Sequence, residues 1–376
     1  MKILHTADVQ LGAQFKMLGA RAELQREQIK KTFHEALEIG VKEEVGIVLI
    51  SGDLFDSNHP SHDLVEFTKG EFAYLLGNNI QVCIVPGHHD PLDVHCIYKR
   101  EQFGKNVFVF TNQEGEVKEY PKLDVAIFAK PNVSSTSTKS PLPQLSGSDP
   151  DSSKPRYKIL AAHGDLQIPS KSAKNYHPIE ISEIEKLDNI DYVALGHWHS
   201  MKDCSQYGKF KMPVWYSGSP ELVALDQTGS GNVLIIDFTP ESVDVKHIQV
   251  GKRQSVVIAL DISAFSNIED IKKKIAEASG PSAIIQVELS GLNTNNLMIN
   301  TDRIEADFED LVFYIRIIDK SHIVIKDIPE YSDNLIQGKF IKIMQKKLKE
   351  APAEDKKIYE EALQIGLAEL EGKEVV

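Results

Sequence analysis

The chain has 376 residues, of which 41% are hydrophobic and 26% charged, values that exclude wholesale disorder and fibrous or collagen-like classes. Its 42 Lys and Arg against 55 Asp and Glu leave a formal charge of −13, so global basicity is excluded as a route to nucleic acid, and such a partner would need bound cations or a local basic patch. Without a run of ~18 apolar residues, a signal-peptide core after Met1 or metal-type spacing among Cys83, Cys96 and Cys204, the expectation is a soluble cytoplasmic protein with reduced thiols and no membrane partner.

Strand-like and helix-like segments alternate through residues 1–250. Short apolar runs at Lys2–Leu4, Gly46–Ile50, Ile80–Val85, Lys158–Ala162 and Asp191–Leu195 suit strands buried on both faces. Between the first two, Phe33, Leu37 and Val41 recur at helical spacing. Between the second and third, Ser61 can cap a helix carrying Leu64, Val65, Thr68, Phe72 and Leu75–Leu76 on one side. The Ser- and Pro-rich stretch 133–155 reads as a mobile surface loop too polar to pack. Strands follow at Pro213–Tyr216, Asn232–Phe238 and Val243–Val250. Residues 251–328 read as a small α+β module, with strands at Val256–Leu260, Ala283–Leu289 and Phe313–Ile318 and a helix at Ile268–Ala278. Residues 329–376 read as a helix pair broken by Pro352, with stripes of Ile336, Phe340, Ile343, Met344, Leu348 and of Tyr359, Ala362, Leu363, Leu367, Leu370.

Each of the five buried strands is followed by residues able to hold a metal. Asp8 and Gln10 follow the first, and Asp53 and Asp56 the second. His88, His89 and Asp90 follow the third, His163 the fourth, and His197 and His199 the fifth. Taken singly, Asp8 and Asp53 are ordinary helix-capping residues. Together the five segments are expected to deliver carboxylates and imidazoles to one edge of one sheet, where α/β proteins bind ligands. Oxygen and imidazole donors without cysteine suit manganese, iron or zinc, and one carboxylate between two ligand sets can bridge a pair of cations.

The blocks Asp8-Val9-Gln10, Gly52-Asp53-Leu54-Phe55-Asp56, Gly87-His88-His89-Asp90, His163-Gly164 and Gly196-His197-Trp198-His199 resemble, in order, the motifs of the calcineurin-like metallophosphoesterase superfamily. Within it, His5-Thr6-Ala7-Asp8 with Leu11-Gly12, the Gly52–Asp56 run and Tyr216-Ser217-Gly218-Ser219-Pro220-Glu221 resemble SbcD-type DNA-repair exonucleases. The resemblance implies a four-layer α/β sandwich of sheets flanked by helices, then a small capping domain and a C-terminal helix pair. That pair would dock the coiled coil of an SbcC-type ABC ATPase, and a homodimer is a further implied assembly. Carried over by position, Asp8, Gln10, Asp53 and His199 would hold one divalent cation, manganese foremost. Asp53 would bridge to a second, held with His88, His163 and His197. His89 would be the catalytic histidine on a DNA phosphodiester and Asp90 its orienting partner, while Asp56 is either a turn residue or a further positioning group. Two departures stand out: Gln10 replaces a histidine ligand and His88 an asparagine, which points to shifted metal preference.

Competing readings are a small-molecule phosphodiesterase or phosphatase and a catalytically weakened subunit that docks DNA or the ATPase. Trp198 is better explained by packing than by base stacking. His5, His34, His59, His62, His95, His177, His247 and His322 lack partners at ligand spacing and read as surface or core residues.

Overall fold

The structure, a computed structural model, describes residues 1–143, 155–168, 176–224, 227, 229–293, 297, 299–323, 331–332, 334–352 and 355–370. Nearly half of the expected 133–155 loop (144–154) and the expected boundary at 328/329 lie outside them. The chain divides into two compact units, Met1–Ser255 and Val256–Val376.

The first unit holds two six-stranded sheets. In one, Lys2–Thr6, Ile47–Ser51, Gln81–Val85 and Val107–Val109 run parallel in that spatial order, and the antiparallel strands Asn232–Phe238 and Val243–Gln249 extend it beyond Lys2–Thr6. In the other, Val214–Tyr216, Tyr192–Gly196, Tyr157–His163 and Val125–Ala129 run parallel, with Lys202–Asp203 and Glu116–Tyr120 as antiparallel edges. The period-2 alternation of each strand builds the layers. Ile3, Leu49, Cys83 and Ile236 of the first sheet meet Ile127, Ile159, Ala161 and Tyr192 of the second in one shared core. The opposite face of the first sheet, with Leu4 and Val48, is approached by Gly40 of helix Ala22–Lys42.

That helix buries Ile29, Phe33, Ala36 and Leu37, a stripe at helical spacing. Helix His62–Gly77 buries Val65, Thr68, Phe72 and Leu75, and the Phe33 and Phe72 rings meet edge to face at 6.4 Å. Ser61 caps it as expected, accepting from Leu64 N. Leu76, expected beside Leu75, is exposed because one residue turns ~100° round a helix. On the outer face of the second sheet, Leu160, Ala162, Val193 and Leu195 pack with Ile179, Met212 and Ile184 of the short helix Ile181–Glu185. The expected four-layer α/β sandwich is therefore present, with a thin fourth layer.

Two readings need correction. The five motif-bearing strands do not share one sheet: three belong to the first and two, Tyr157–His163 and Tyr192–Gly196, to the second. Short buried runs look alike whichever sheet receives them, so the partition is a tertiary property. The loop expected from Val133 onward also packs at its near end. Pro141, Leu142 and Pro143 are buried, and Leu142 joins the outer core of the second sheet. Strands Val107–Val109, Glu116–Tyr120 and Val125–Ala129 were not anticipated; the first is very short and the second is a half-exposed edge with alternating charges.

In the second unit, Gln254–Asp261, Ala283–Ser290 and Tyr314–Asp319 form a three-stranded sheet in that order. Helix Ile268–Ala276, capped by Asn267, and the unanticipated helix Thr301–Asp307, capped by Asn300, pack Ile271, Ile275 and Ile304 with Ile285, Val287 and Ile317. Helices Ile336–Glu350 and Lys356–Leu370 pack Ile341, Met344, Leu363 and Leu367 together, with Phe340, Leu348 and Tyr359 against them. The expected stripes are thus largely an internal core. Ile336 and Ile343 are left 70% and 56% exposed.

His5 spans the two sheets, its Nδ1 2.9 Å from Tyr192 Oη, and burial holds its imidazole down to about 3. Unfolded, the same ring takes a proton near 6.5. Between those values the unfolded chain binds the extra proton, so His5 costs stability as pH falls below 6.5, by about 1.4 kcal/mol per pH unit. With chelator present throughout, His5→Gln is expected to lose less melting temperature than wild type between pH 7 and pH 5. Parallel losses in the two proteins would contradict this assignment.

Candidate metal centre

The carboxyl ends of parallel strands from both sheets meet at one place. The turns after Lys2–Thr6 and Ile47–Ser51 are zipped by Asp8 N to Gly52 O and Gln10 N to Asp53 O, both 3.0 Å. In the second sheet Gly164 N donates to Gly196 O at 3.1 Å. The sheets are joined where His197 N donates to both carboxylate oxygens of Asp8, at 3.0 and 3.2 Å. Four of the residues held there, Asp8, Gln10, Asp53 and His197, have positive φ (53°, 48°, 54° and 110°). Side chains with a Cβ adopt such backbone at a cost of about 1–3 kcal/mol each, so the surrounding fold imposes it.

Asp53 is the point of convergence. Its side chain is wholly buried; Oδ1 accepts from His89 N at 2.8 Å, while Oδ2 lies 2.9 Å from His88 Nδ1 and 3.1 Å from His163 Nε2. Those two nitrogens are themselves 2.8 Å apart. Three electron-pair donors so close cannot all be satisfied by protons, and Asp53 Oδ2 indeed has no hydrogen-bond partner among the described residues. The buried Nδ1 of His197 is likewise without one. Ligand atoms of Asp8, Asp53 and His163, of Asp53, His88 and His89, and of His88, His163 and His197 lie within 4.8 Å of one another in each group. The divalent metals that metallophosphoesterases use fit this donor set, because cations bound among these groups would satisfy buried donor atoms that protons leave orphaned.

Electrostatics and tautomers agree with that fit. Burial pushes the Asp53 carboxyl up, but the His163 and His88 rings outweigh it and hold it well below the usual carboxylate range. Burial likewise lowers His163, yet Asp53 and then Asp8 raise it to about 9. A proton on this imidazole takes the place of positive charge the pocket calls for. His163 Nδ1 donates to Ser51 O at 2.9 Å, a carbonyl that can only accept, so the neutral ring turns its Nε2 lone pair to Asp53 and His88. His197, partly buried and facing His163 and His88, is pushed down to about 2 by desolvation and stays neutral.

The remaining expected residues divide. Gln10 Nε2 and His199 Nε2 meet each other at 3.2 Å, so these two stand together, and the positive charge of His199 acts on Asp8. His89 presents a ring 35% exposed, its Nδ1 3.1 Å from the Asp56 carbonyl and 3.8 Å from the Asp56 carboxylate. The reading of Asp90 as the direct partner of that ring is corrected. Asp90 is fully buried and accepts from Gly87 N, Phe55 N and Tyr98 Oη, so it fixes the turn that carries His88 and His89, and Asp56 contacts the ring. Trp198 packs as expected, stacked on Tyr216 at 4.4 Å and donating to Asp165 Oδ1.

His177, expected as a surface or core residue, is buried, with its ring 6.4 Å from His88, and burial pulls it down to about 4. No local spacing signals this, because the contact is made through the packed segment that runs beside Ser137, whose carbonyl accepts from His177 N. His34 binds Glu71 on the helix layer, and His59, His62, His95 and His247 are exposed.

The calcineurin-like phosphoesterase family model matches residues 1–201, which carry all five ligand-bearing segments. The chain belongs to that family. It is an enzyme of the phosphoesterase class, and the family implies divalent metals. The chain is 25% identical over 342 residues to the DNA double-strand break repair protein Mre11 of Sulfolobus acidocaldarius, covering 87% of this chain and 84% of that one. It is 26% identical over 223 residues to the SbcD subunit of the nuclease SbcCD from Staphylococcus epidermidis (53% and 57% covered), and 24% identical over 295 residues to the uncharacterized metallophosphoesterase YhaO of Bacillus subtilis (76% and 70%). Among the described residues no helix is long and apolar enough to cross a membrane.

Gly87 tests how tightly the phosphoesterase site is built. A Cβ there would stand 2.1 Å from Asp53 Oδ1 and 2.4 Å from Asp53 N, so any side chain displaces the central carboxylate. Gly87→Ala is expected to lower phosphoester hydrolysis ~100-fold, the usual cost of an ångström-scale misplacement, and to lower the melting temperature by several degrees because the Asp53 backbone must shift too. Unchanged hydrolysis would mean that Asp53 is not held where this packing puts it.

Proposed function

We propose that the chain is a metal-dependent nuclease of the SbcD type, hydrolysing DNA phosphodiesters in end processing and repair. The observation that carries the reading is the partly exposed His89 ring standing beside the Asp53–His88–His163 cluster, whose Asp53 and His163 are wholly buried. Asp8, Gln10, Asp53 and His199 would hold one divalent cation, and Asp53, His88, His163 and His197 the other. When bound, such a pair supplies Lewis acidity and an activated water for in-line attack on phosphorus. In this account Asp53 carries the bridging negative charge. His163 would hold the cation through a deprotonated Nε2, with Ser51 O keeping its ring aligned. His89, anchored through Nδ1 on the Asp56 carbonyl, turns Nε2 outward to stabilise the charged phosphoryl oxygens or protonate the leaving oxygen, and the Asp56 carboxylate supports the cationic ring. Asp90 holds the turn.

DNA as substrate and a further nuclease subunit as partner are supported by the names of two relatives, a DNA double-strand break repair protein and the SbcD subunit of the nuclease SbcCD; that the partner is a coiled-coil ATPase follows from the SbcD-type resemblance. With a net charge of −13, attraction for phosphate must come from the cations and from local basic groups. Residues 251–328 would form the capping domain. The terminal helices would dock an SbcC-type ATPase, which the exposure of Ile336, Ile343 and Ile358 supports. A homodimer would use the exposed apolar side chains Leu24 and Leu76 on the helices of the first unit. The three buried free thiols suit a reducing cytoplasm, and manganese is the cation we would supply first.

A purified sample in manganese, offered linear duplex DNA, a cyclic nucleotide and an aryl phosphodiester, is expected to degrade the DNA, and His89→Gln to lower that rate by ~10²–10⁴. Turnover of the cyclic nucleotide with DNA left intact would overturn the nuclease reading in favour of a small-molecule phosphodiesterase. Binding of DNA without any hydrolysis would favour the docking subunit.

A further inference from the structure

The two halves of the ligand constellation are chemically unlike. On one side three imidazoles converge: His88 and His163 nitrogens 2.8 Å apart, their rings stacked at 5.0 Å, and the His197 ring edge-on to both at 4.8 and 5.4 Å. Ligand atoms of all three lie within 4.8 Å of one another; Asp53 Oδ2 stands 2.9 and 3.1 Å from the His88 and His163 nitrogens that meet, while Ser51 O takes the other nitrogen of His163. Toward the other side the donors are oxygen-rich: the carboxylates of Asp8 and Asp53, then the amide of Gln10, with His199 its neighbour. Nitrogen-rich sites favour the later first-row divalent ions, whereas carboxylate and amide oxygens suit manganese and magnesium.

Resting on the two-metal reading above, we infer that the centre is built for two different cations: a zinc-class ion (zinc, cobalt or nickel) in the His88–His163–His197 pocket and a hard ion, manganese or magnesium, on the Asp8–Gln10 side. His88 is the residue that decides it. An asparagine there would offer an amide oxygen where His88 offers Nδ1, and would leave two imidazoles instead of three. The pocket is preorganised without a cation, since His163 is oriented by Ser51 O and the His88 turn by Asp90. His88 itself is partly exposed, its side chain retaining 19% of its surface, so replacing it leaves the buried core intact.

The test is direct metal analysis of the full chain. Protein stripped with chelator is dialysed against equimolar zinc and manganese, and both metals are counted per chain; cobalt(II) is titrated in parallel and followed by its visible absorption. The expected result is one zinc and one manganese in wild type, with a cobalt spectrum typical of nitrogen ligation from the first equivalent. His88→Asn is expected to weaken zinc retention at least ~10-fold and to dull the cobalt band, with manganese retained. Gln10→Ala should do the reverse, losing manganese while zinc stays. Manganese in both positions of wild type, or zinc retention indifferent to His88→Asn, would overturn the mixed-metal inference and leave the nuclease reading standing. A chain that retains neither metal overturns both.

Discussion

A carboxylate with no exposure to water is kept charged by imidazoles rather than by solvent, and the rest of the site follows from that. Moving Asp53 out of water costs several kcal/mol unless positive charge comes with it. In the protein alone that charge is a proton on His163, and His88 stands equally close. Yet three electron-pair donors within 3.1 Å of one another cannot all be satisfied by that one proton. Such an arrangement is a poor way to stabilise a fold, and a good way to leave a place for a cation.

The sandwich is what makes this density of ligands possible. A single parallel sheet presents its strand ends along a line, so few side chains can surround one point. Two sheets packed face to face bring two such lines together, and Asp8 of one sheet accepts from the backbone of His197 of the other. The shared core of Ile3, Leu49, Ile159 and Tyr192 holds the sheets at a fixed spacing. That rigidity is also what forces Asp8, Gln10 and Asp53 into left-handed backbone, since hydrogen bonds between the two turns leave the chain no other path.

Much of this was readable from the amino-acid sequence because it is local. The apolar runs before each ligand block, the helical spacing of Phe33 and Leu37, and the capping role of Ser61 depend on neighbours a few residues away. Phosphoesterase family membership was readable for the same reason, through short blocks in order. What depended on distant packing was not. Nothing in the runs Lys158–Ala162 and Asp191–Leu195 says that they join a second sheet. Asp90 looked like a partner for the adjacent His89, but the chain turns so that its oxygens meet Gly87, Phe55 and Tyr98. His177 reached the side of His88 through a segment whose composition suggested only loop. Left-handed φ at an aspartate leaves no trace in composition, since the same residue serves in ordinary turns.

The central claim is that Asp53 is shared by every cation the site takes up, and counting bound cations addresses it most directly. After loading with zinc and manganese together and removal of free metal, wild type is expected to keep two ions per chain in total, and Asp53→Asn, folded by circular dichroism, to keep fewer than one. Two ions retained by the variant would contradict the account.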